Sequence, residues 1–115
     1  NIYEPKVIRN IISKQTSNIL KGILSQCVSR GTAGNAYVKG YNIAGMTGTG
    51  LRTEGKKQIY IPSFTGFASL NNHSIACIVV FENSGKSPYG HGGGLAAAPV
   101  GGQLLKETLD YLNRK

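Results

Sequence analysis

Apolar positions along the chain change their period several times, and the changes divide it into elements. Residues 3–12 set Val7, Ile8, Ile11 and Ile12 beside Pro5, a β-branched enrichment that predicts an extended segment. From Lys14 the spacing becomes helical. Ile19, Leu20, Ile23, Leu24, Cys27 and Val28 recur every three or four positions, with Ser13 placed to cap the helix and Gly31 to end it. Residues 36–50 then alternate, and the polar, charged stretch 51–58 reads as a loop. It leads to Ile59-Tyr60-Ile61 and Phe64-Thr65-Gly66-Phe67-Ala68 in a hairpin pattern. Beyond the turn Asn71-Asn72, residues 75–81 are a continuous apolar run, short enough for the centre of a sheet. A glycine- and proline-rich loop over 84–94 precedes a final helix with Leu104, Leu105, Leu109 and Leu112 on one face and Pro99 near its first turn. The sum predicts an α+β fold, an antiparallel sheet with packed helices.

Bulk composition adds bounds. A chain of 115 residues has room for one domain with a modest core, and residues 1–115 are read as a single piece. No run approaches the length of a transmembrane span, and the start Asn1-Ile2-Tyr3-Glu4-Pro5 has neither a signal-peptide layout nor an initiator Met, so an internal or processed piece is expected. The formal charge of +8, from 13 Lys/Arg against 5 acids, invites a nucleic-acid reading. The bases are scattered, however, and their tightest group, Arg52, Lys56 and Lys57, is interrupted by Glu54. No basic ribbon with interleaved aromatics and no helix-turn-helix spacing accompanies them, so a solvated basic surface is expected and no nucleic acid. Cys27 and Cys77 stand fifty positions apart in apolar segments, as small buried thiols do. Neither His73 nor His91 is at ligand spacing from them, and no metal or cofactor is expected.

The candidate chemistry lies in Ala44-Gly45-Met46-Thr47-Gly48-Thr49-Gly50. Glycines let another backbone approach closely, and threonines supply hydroxyls beside main-chain N–H groups, a combination suited to an anionic or carbonyl-bearing ligand. Other patterns fail on their chemistry. Gly50-Leu51-Arg52-Thr53-Glu54-Gly55-Lys56-Lys57 has phosphate-loop spacing but puts Lys57 where a magnesium-binding hydroxyl belongs, with no helix to follow. His91-Gly92-Gly93-Gly94 is similar to a lipase oxyanion loop, yet the chain holds no G-x-S-x-G. No Ser or Cys has a lysine three residues on, and Ser69-Leu70-Asn71 and Tyr111-Leu112-Asn113 match S/Y-x-N only at a turn and on a helix.

Four separated segments carry a resemblance. Gly31-Thr32-Ala33, then residues 40–49, then Ser63-Phe64-Thr65-Gly66-Phe67-Ala68, then Gly92-Gly93-Gly94-Leu95-Ala96-Ala97-Ala98-Pro99-Val100 resemble, in order, the C-terminal half of a class B penicillin-binding protein transpeptidase domain, of the penicillin-binding-protein/β-lactamase-like fold. The resemblance runs from about Ser13 to the end of the chain. It implies acyl transfer at a serine, with the peptidoglycan stem peptide and β-lactams as ligands. The S-x-x-K and S-x-N motifs that should precede the lysine-threonine-glycine strand are not present, so the piece is expected to lack the nucleophile-bearing half and to be inactive alone.

By position, Met46 stands where the family has lysine, and Thr47, Gly48 and Thr49 match. The resemblance assigns Thr47 and Thr49 to a substrate carboxylate, the Thr49 N–H to one arm of the oxyanion hole, and Gly48 to an open strand face. Met46 reads as a change in an active parent, the mark of a degenerate homologue, or a variant relieved by another base. The resemblance further implies a parent anchored in the bacterial inner membrane, in a cell-wall synthesis complex, with this domain in the periplasm or cell exterior. The competing reading is a non-catalytic basic binding module or a degenerate homologue acting through protein contacts. Sheet surface left bare by the missing half is expected to drive self-association.

Overall fold

The computed structural model describes residues 2–82 and 92–114. Helix α1 spans Lys14–Arg30, and a 3-10 turn covers Gly34–Ala36. Three strands follow, β1 Asn42–Glu54, β2 Lys57–Leu70 and β3 His73–Val80, and helix α2 runs Gly93–Leu112. The α+β class stands. The strands form one antiparallel sheet in the order β1-β2-β3.

Local signals set the ends of α1. The Ser13 hydroxyl accepts the Thr16 N–H at 3.1 Å, and the Gly31 N–H donates to Cys27 O as the helix stops. The apolar stripe behaves differently from its pattern: Val28 is buried, while Ile19 and Ile23 are 58% and 52% exposed. Residues 3–12, expected to be extended, join no strand or helix and are exposed. β-branched residues favour strands only where a neighbouring strand completes their hydrogen bonds, and none lies beside them among the described residues.

Four more expectations are corrected by pairing. β1 begins at Asn42 rather than 36, because the preceding residues are taken up by the 3-10 turn and by Gly40 at φ 89°. The loop expected over 51–58 shrinks to two residues, Gly55-Lys56, with Glu54 opposite Lys57 and Gly55 at φ 59°, the left-handed conformation a two-residue hairpin turn needs. The apolar run 75–81 supplies an edge strand, and β2 is the centre. The final helix starts at Gly93, which puts Pro99 in its second turn. The Asn71-Asn72 turn forms where expected, with Asn71 at φ 55° and its side chain donating to Asn113 Oδ1 at 2.8 Å.

Helix α2 closes on the sheet through small residues. Its buried face is Gly93, Ala97, Ala98, Gly101, Gly102, Leu105 and Leu109. Leu104 is instead 46% exposed, because one position along a helix is a rotation of about 100°. Phe64, fully buried on β2, is the centre of this contact. A Cβ built at Gly45, Gly66 or Gly101 would fall 2.9, 2.5 or 2.1 Å from atoms of its ring, so three glycines form the slot the ring occupies.

A polar latch ties the segment before β1 to α2. The Tyr41 hydroxyl donates to Asp110, and Lys106 Nζ donates to the same carboxylate at 2.7 Å. Hydrogen bonds from Lys106 and Tyr41 hold the Asp110 carboxyl below its ordinary pKa. A depressed carboxyl contributes stability above its unfolded pKa and loses it as pH falls through the folded one. Melting temperatures taken from neutral pH down through the carboxylate range should therefore fall more steeply for the wild type than for Asp110→Asn. Equal slopes would remove the latch from the acid response.

Candidate functional site

The residues from Met46 to Thr49 lie on β1, an edge strand whose outer side meets no other strand among the described residues. Partners across a strand pair share a sheet face. Thr47 is opposite Phe64 and Thr49 opposite Pro62, so both threonines stand on the face covered by α2. Met46 is opposite Thr65, which is opposite Ile78, on the other face. That row is open: Met46 is 56% and Ile78 68% exposed.

Pro62 decides where the main chain of Thr49 points. Its carbonyl accepts the Phe81 N–H at 3.0 Å, so the polar groups of Pro62 face the β3 side. In an antiparallel ladder a hydrogen-bonded pair exchanges both of its bonds; with no N–H and its carbonyl turned away, Pro62 makes no such exchange with Thr49. Thr49 is thus in a non-hydrogen-bonded pair, and its own N–H and C=O face the free edge. By the alternation of the ladder, so do those of Thr47. Proline is tolerated in this central strand because the β3 pairing ends at Ser63↔Val80, one residue short of it.

The start of α2 is pressed against the same strand. The Gly93 N–H donates to Thr49 Oγ1 at 3.2 Å, and a Cβ at Gly93 would lie 2.3 Å from Gly48 O and 2.4 Å from Ser63 O. The Asn35 side chain donates to Gly94 O at 2.8 Å, and Thr47 Oγ1 lies 3.4 Å from Thr32 Oγ1. A Cβ at Gly48 would be 2.7 Å from Ser63 Oγ, so the strand surface there is bare up to that hydroxyl. Residues 31–36, β1, Ser63 and the α2 start therefore meet in one place, and the four segments singled out in the sequence converge there in space.

What the arrangement offers is a row of donors along an open edge: the Thr49 N–H, and two hydroxyls on its rim. It suits an extended ligand bearing a carbonyl or carboxylate. The roles of Gly93, Thr32, Asn35 and Pro62 were not legible as chemistry; the signal available was that Gly93 and Thr32 sit in the matched segments and that Pro62 interrupts a strand. His91 lies outside the described residues. Cys27 and Cys77 are both free and half-buried, and burial pushes the Cys77 thiol up. The phosphate-loop look-alike is hairpin, not loop and helix, and Arg52 beside its tip pairs with Glu54 and Glu82. Among the described residues no group of His, Cys, Asp and Glu could hold a metal ion, and no helix is long and apolar enough to cross a membrane.

The chain matches known proteins over nearly all of its length. A family model described as the penicillin binding protein transpeptidase domain matches residues 1–106. Stage V sporulation protein D of Bacillus subtilis (strain 168) is 34% identical over 115 residues, covering 96% of this chain and 17% of that protein. Peptidoglycan D,D-transpeptidase FtsI of Buchnera aphidicola subsp. Baizongia pistaciae (strain Bp) is 30% identical over 111 residues, covering 93% of this chain and 19% of that protein. Among solved structures, the apo transpeptidase domain of Burkholderia pseudomallei penicillin-binding protein 3 aligns with a TM-score of 0.72 and 32% identity, over 87% of this chain and 31% of that one. The transpeptidase domain of the Legionella pneumophila FtsI4 D,D-transpeptidase aligns with a TM-score of 0.70 and 28% identity, over 85% and 37%. The chain thus spans under a fifth of the length of these curated relatives and about a third of these solved chains.

Proposed function

The chain belongs to the penicillin-binding protein transpeptidase domain family, and we propose that it is the C-terminal part of a serine D,D-transpeptidase domain, supplying the third-motif strand to a nucleophile carried elsewhere in the complete protein. The observation that carries this reading is the edge of β1. Thr49 turns its N–H outward there, and both threonine hydroxyls lie on the rim. Met46 and the two threonines occupy opposite faces of the sheet, and a ligand can border both faces only along the strand's edge. An extended stem peptide added beside β1 does this.

In that pose the Thr49 N–H donates to the developing oxyanion and the Thr49 hydroxyl to the carboxylate of the peptide or of a β-lactam, and the Thr47 hydroxyl turns from its long bond to Thr32 Oγ1 to donate to the same carboxylate. Gly48 keeps the strand surface bare beside the ligand. Met46, in the lysine's place, supplies no charge. The Buchnera relative is named a peptidoglycan D,D-transpeptidase, and by analogy the parent cross-links peptidoglycan by acyl transfer from a membrane-anchored position facing the periplasm, within a cell-wall synthesis complex. This chain alone turns over no substrate.

Fluorescent penicillin tests the reading. The complete protein is expected to take up label at a serine outside residues 1–115, and these residues by themselves to take up none. Uptake by neither, with the complete protein folded, would instead favour the degenerate homologue, which the thioether at Met46 already suits. The open row of Met46, Ile78 and Val80 is the surface that the rest of the domain covers in this proposal. Taken alone, the chain should associate through it, and a strictly monomeric mass by light scattering at high concentration would count against that.

A further inference from the structure

The start of α2 makes a contact with Thr49 that the proposed function leaves unused. Position 93 is the first residue of a 20-residue helix, and its N–H is one of those a helix cannot satisfy from within. The residue before it, Gly92, makes no side-chain cap bond. The missing acceptor comes from Thr49 Oγ1, 44 positions away in sequence. The seat is tight: Gly93 lies over the Gly48–Ser63 pair with no room for a Cβ, since both carbonyl oxygens would be within 2.4 Å of it.

A threonine hydroxyl has a single proton and two lone pairs. With one lone pair committed to the Gly93 N–H, the hydroxyl keeps its proton free to donate to a ligand at the strand's edge. The N–H also sits at the positive end of the helix, which polarises the hydroxyl it bonds and favours a negative partner. We propose that Gly93 is a positioning residue for ligand recognition: by docking α2 onto Gly48 and donating to Thr49 Oγ1, it fixes that hydroxyl as a donor and makes the site selective for a ligand carboxylate over its neutral ester. The inference rests on the transpeptidase reading for the identity of the ligand, and on the geometry alone for the clamp.

Two measurements on the complete protein separate these dependences. In amide hydrogen exchange, Gly93 should be protected in the wild type and in Thr49→Ser, and lose protection by about tenfold in Thr49→Val, which removes the acceptor. Equal exchange in wild type and Thr49→Val overturns the clamp. In acylation by a penicillin and by its methyl ester, the wild type and Thr49→Ser should prefer the carboxylate, and Gly93→Ala and Thr49→Val should lose about tenfold of that preference. Adding Gly93→Ala to Thr49→Val should then change the preference by less than about twofold, as expected when one residue acts through the other. A folded Gly93→Ala protein that keeps the preference, or one slowed equally toward both compounds, overturns the positioning role. If Gly93→Ala does not fold, the exchange result and the contrast of Thr49→Ser with Thr49→Val decide. A wild type that takes up neither compound while Gly93 stays protected through Thr49 supports the clamp and overturns the transpeptidase reading.

Discussion

Replacing Met46 by lysine should raise β-lactam acylation of the complete protein by about ten- to a hundredfold, the rate equivalent of the roughly 1.5–3 kcal/mol that a hydrogen bond to a charged group contributes. The position accepts the change at little structural cost. Met46 is more than half exposed on the face of the sheet away from α2, in a row with Thr65 and Ile78. A lysine there lays its long apolar stem along the row of Thr65 and Ile78, as the methionine does. Thr47 and Thr49 stay in place because they hang from the opposite face. The resemblance implies that the lysine at this position handles a proton, which a thioether cannot do, so the gain should be larger for acylation than for initial binding. Equal rates for the wild type and the Met46→Lys variant would mean that another base has taken over the role.

The largest effect on stability is expected from Phe64→Ala, a loss of about 3–5 kcal/mol in denaturant unfolding. Phe64 is fully buried and its ring is enclosed by positions where Gly45, Gly66 and Gly101 have no side chain. The cavity cannot close by local collapse, because the surrounding glycines have nothing to move into it. For a domain whose whole stability is of order 5–15 kcal/mol, this removes much of the margin. The converse substitution, Gly101→Ala, drives a methyl to 2.1 Å from Phe64 Cδ1 and should cost about 1–3 kcal/mol by overpacking. Combined with Phe64→Leu it should cost less than the sum of the two, since the smaller side chain vacates the space the methyl needs. A Phe64→Ala loss under about 1 kcal/mol would show that the slot relaxes, against the cavity argument. Because Phe64 lies directly opposite Thr47, the substitution also tests how far the site depends on the core beneath it.

Some of this was legible without coordinates. The Ser13 cap, the three-and-four spacing of α1 and the Asn71-Asn72 turn are matters of a few adjacent residues, and each formed where the pattern put it. The four matched segments identified the family and singled out Met46, Thr47, Gly48 and Thr49. Elsewhere the local signal misled. A β-branched run at 7–12 found no partner strand among the described residues, an apolar run at 75–81 became an edge, and the stretches 51–54 and 57–58, with Arg52, Glu54 and Lys57, were drawn into a hairpin because Gly55 could turn it in two residues. Leu104 missed the core because it stands about 100° around the helix from Leu105, which lies on the face of α2 that meets the sheet.

The sequence by itself determined the period and first cap of α1, the Asn71-Asn72 turn and the order of the motif segments, because these depend on preferences acting over a few adjacent residues. Only the tertiary structure decided that β2 is central, that Pro62 leaves the Thr49 N–H facing the free edge, that Phe64 sits among three glycines, and that Gly93 reaches Thr49 across 44 positions. Those facts are set by which distant backbones come within van der Waals reach, and residue spacing along the chain carries no record of that distance.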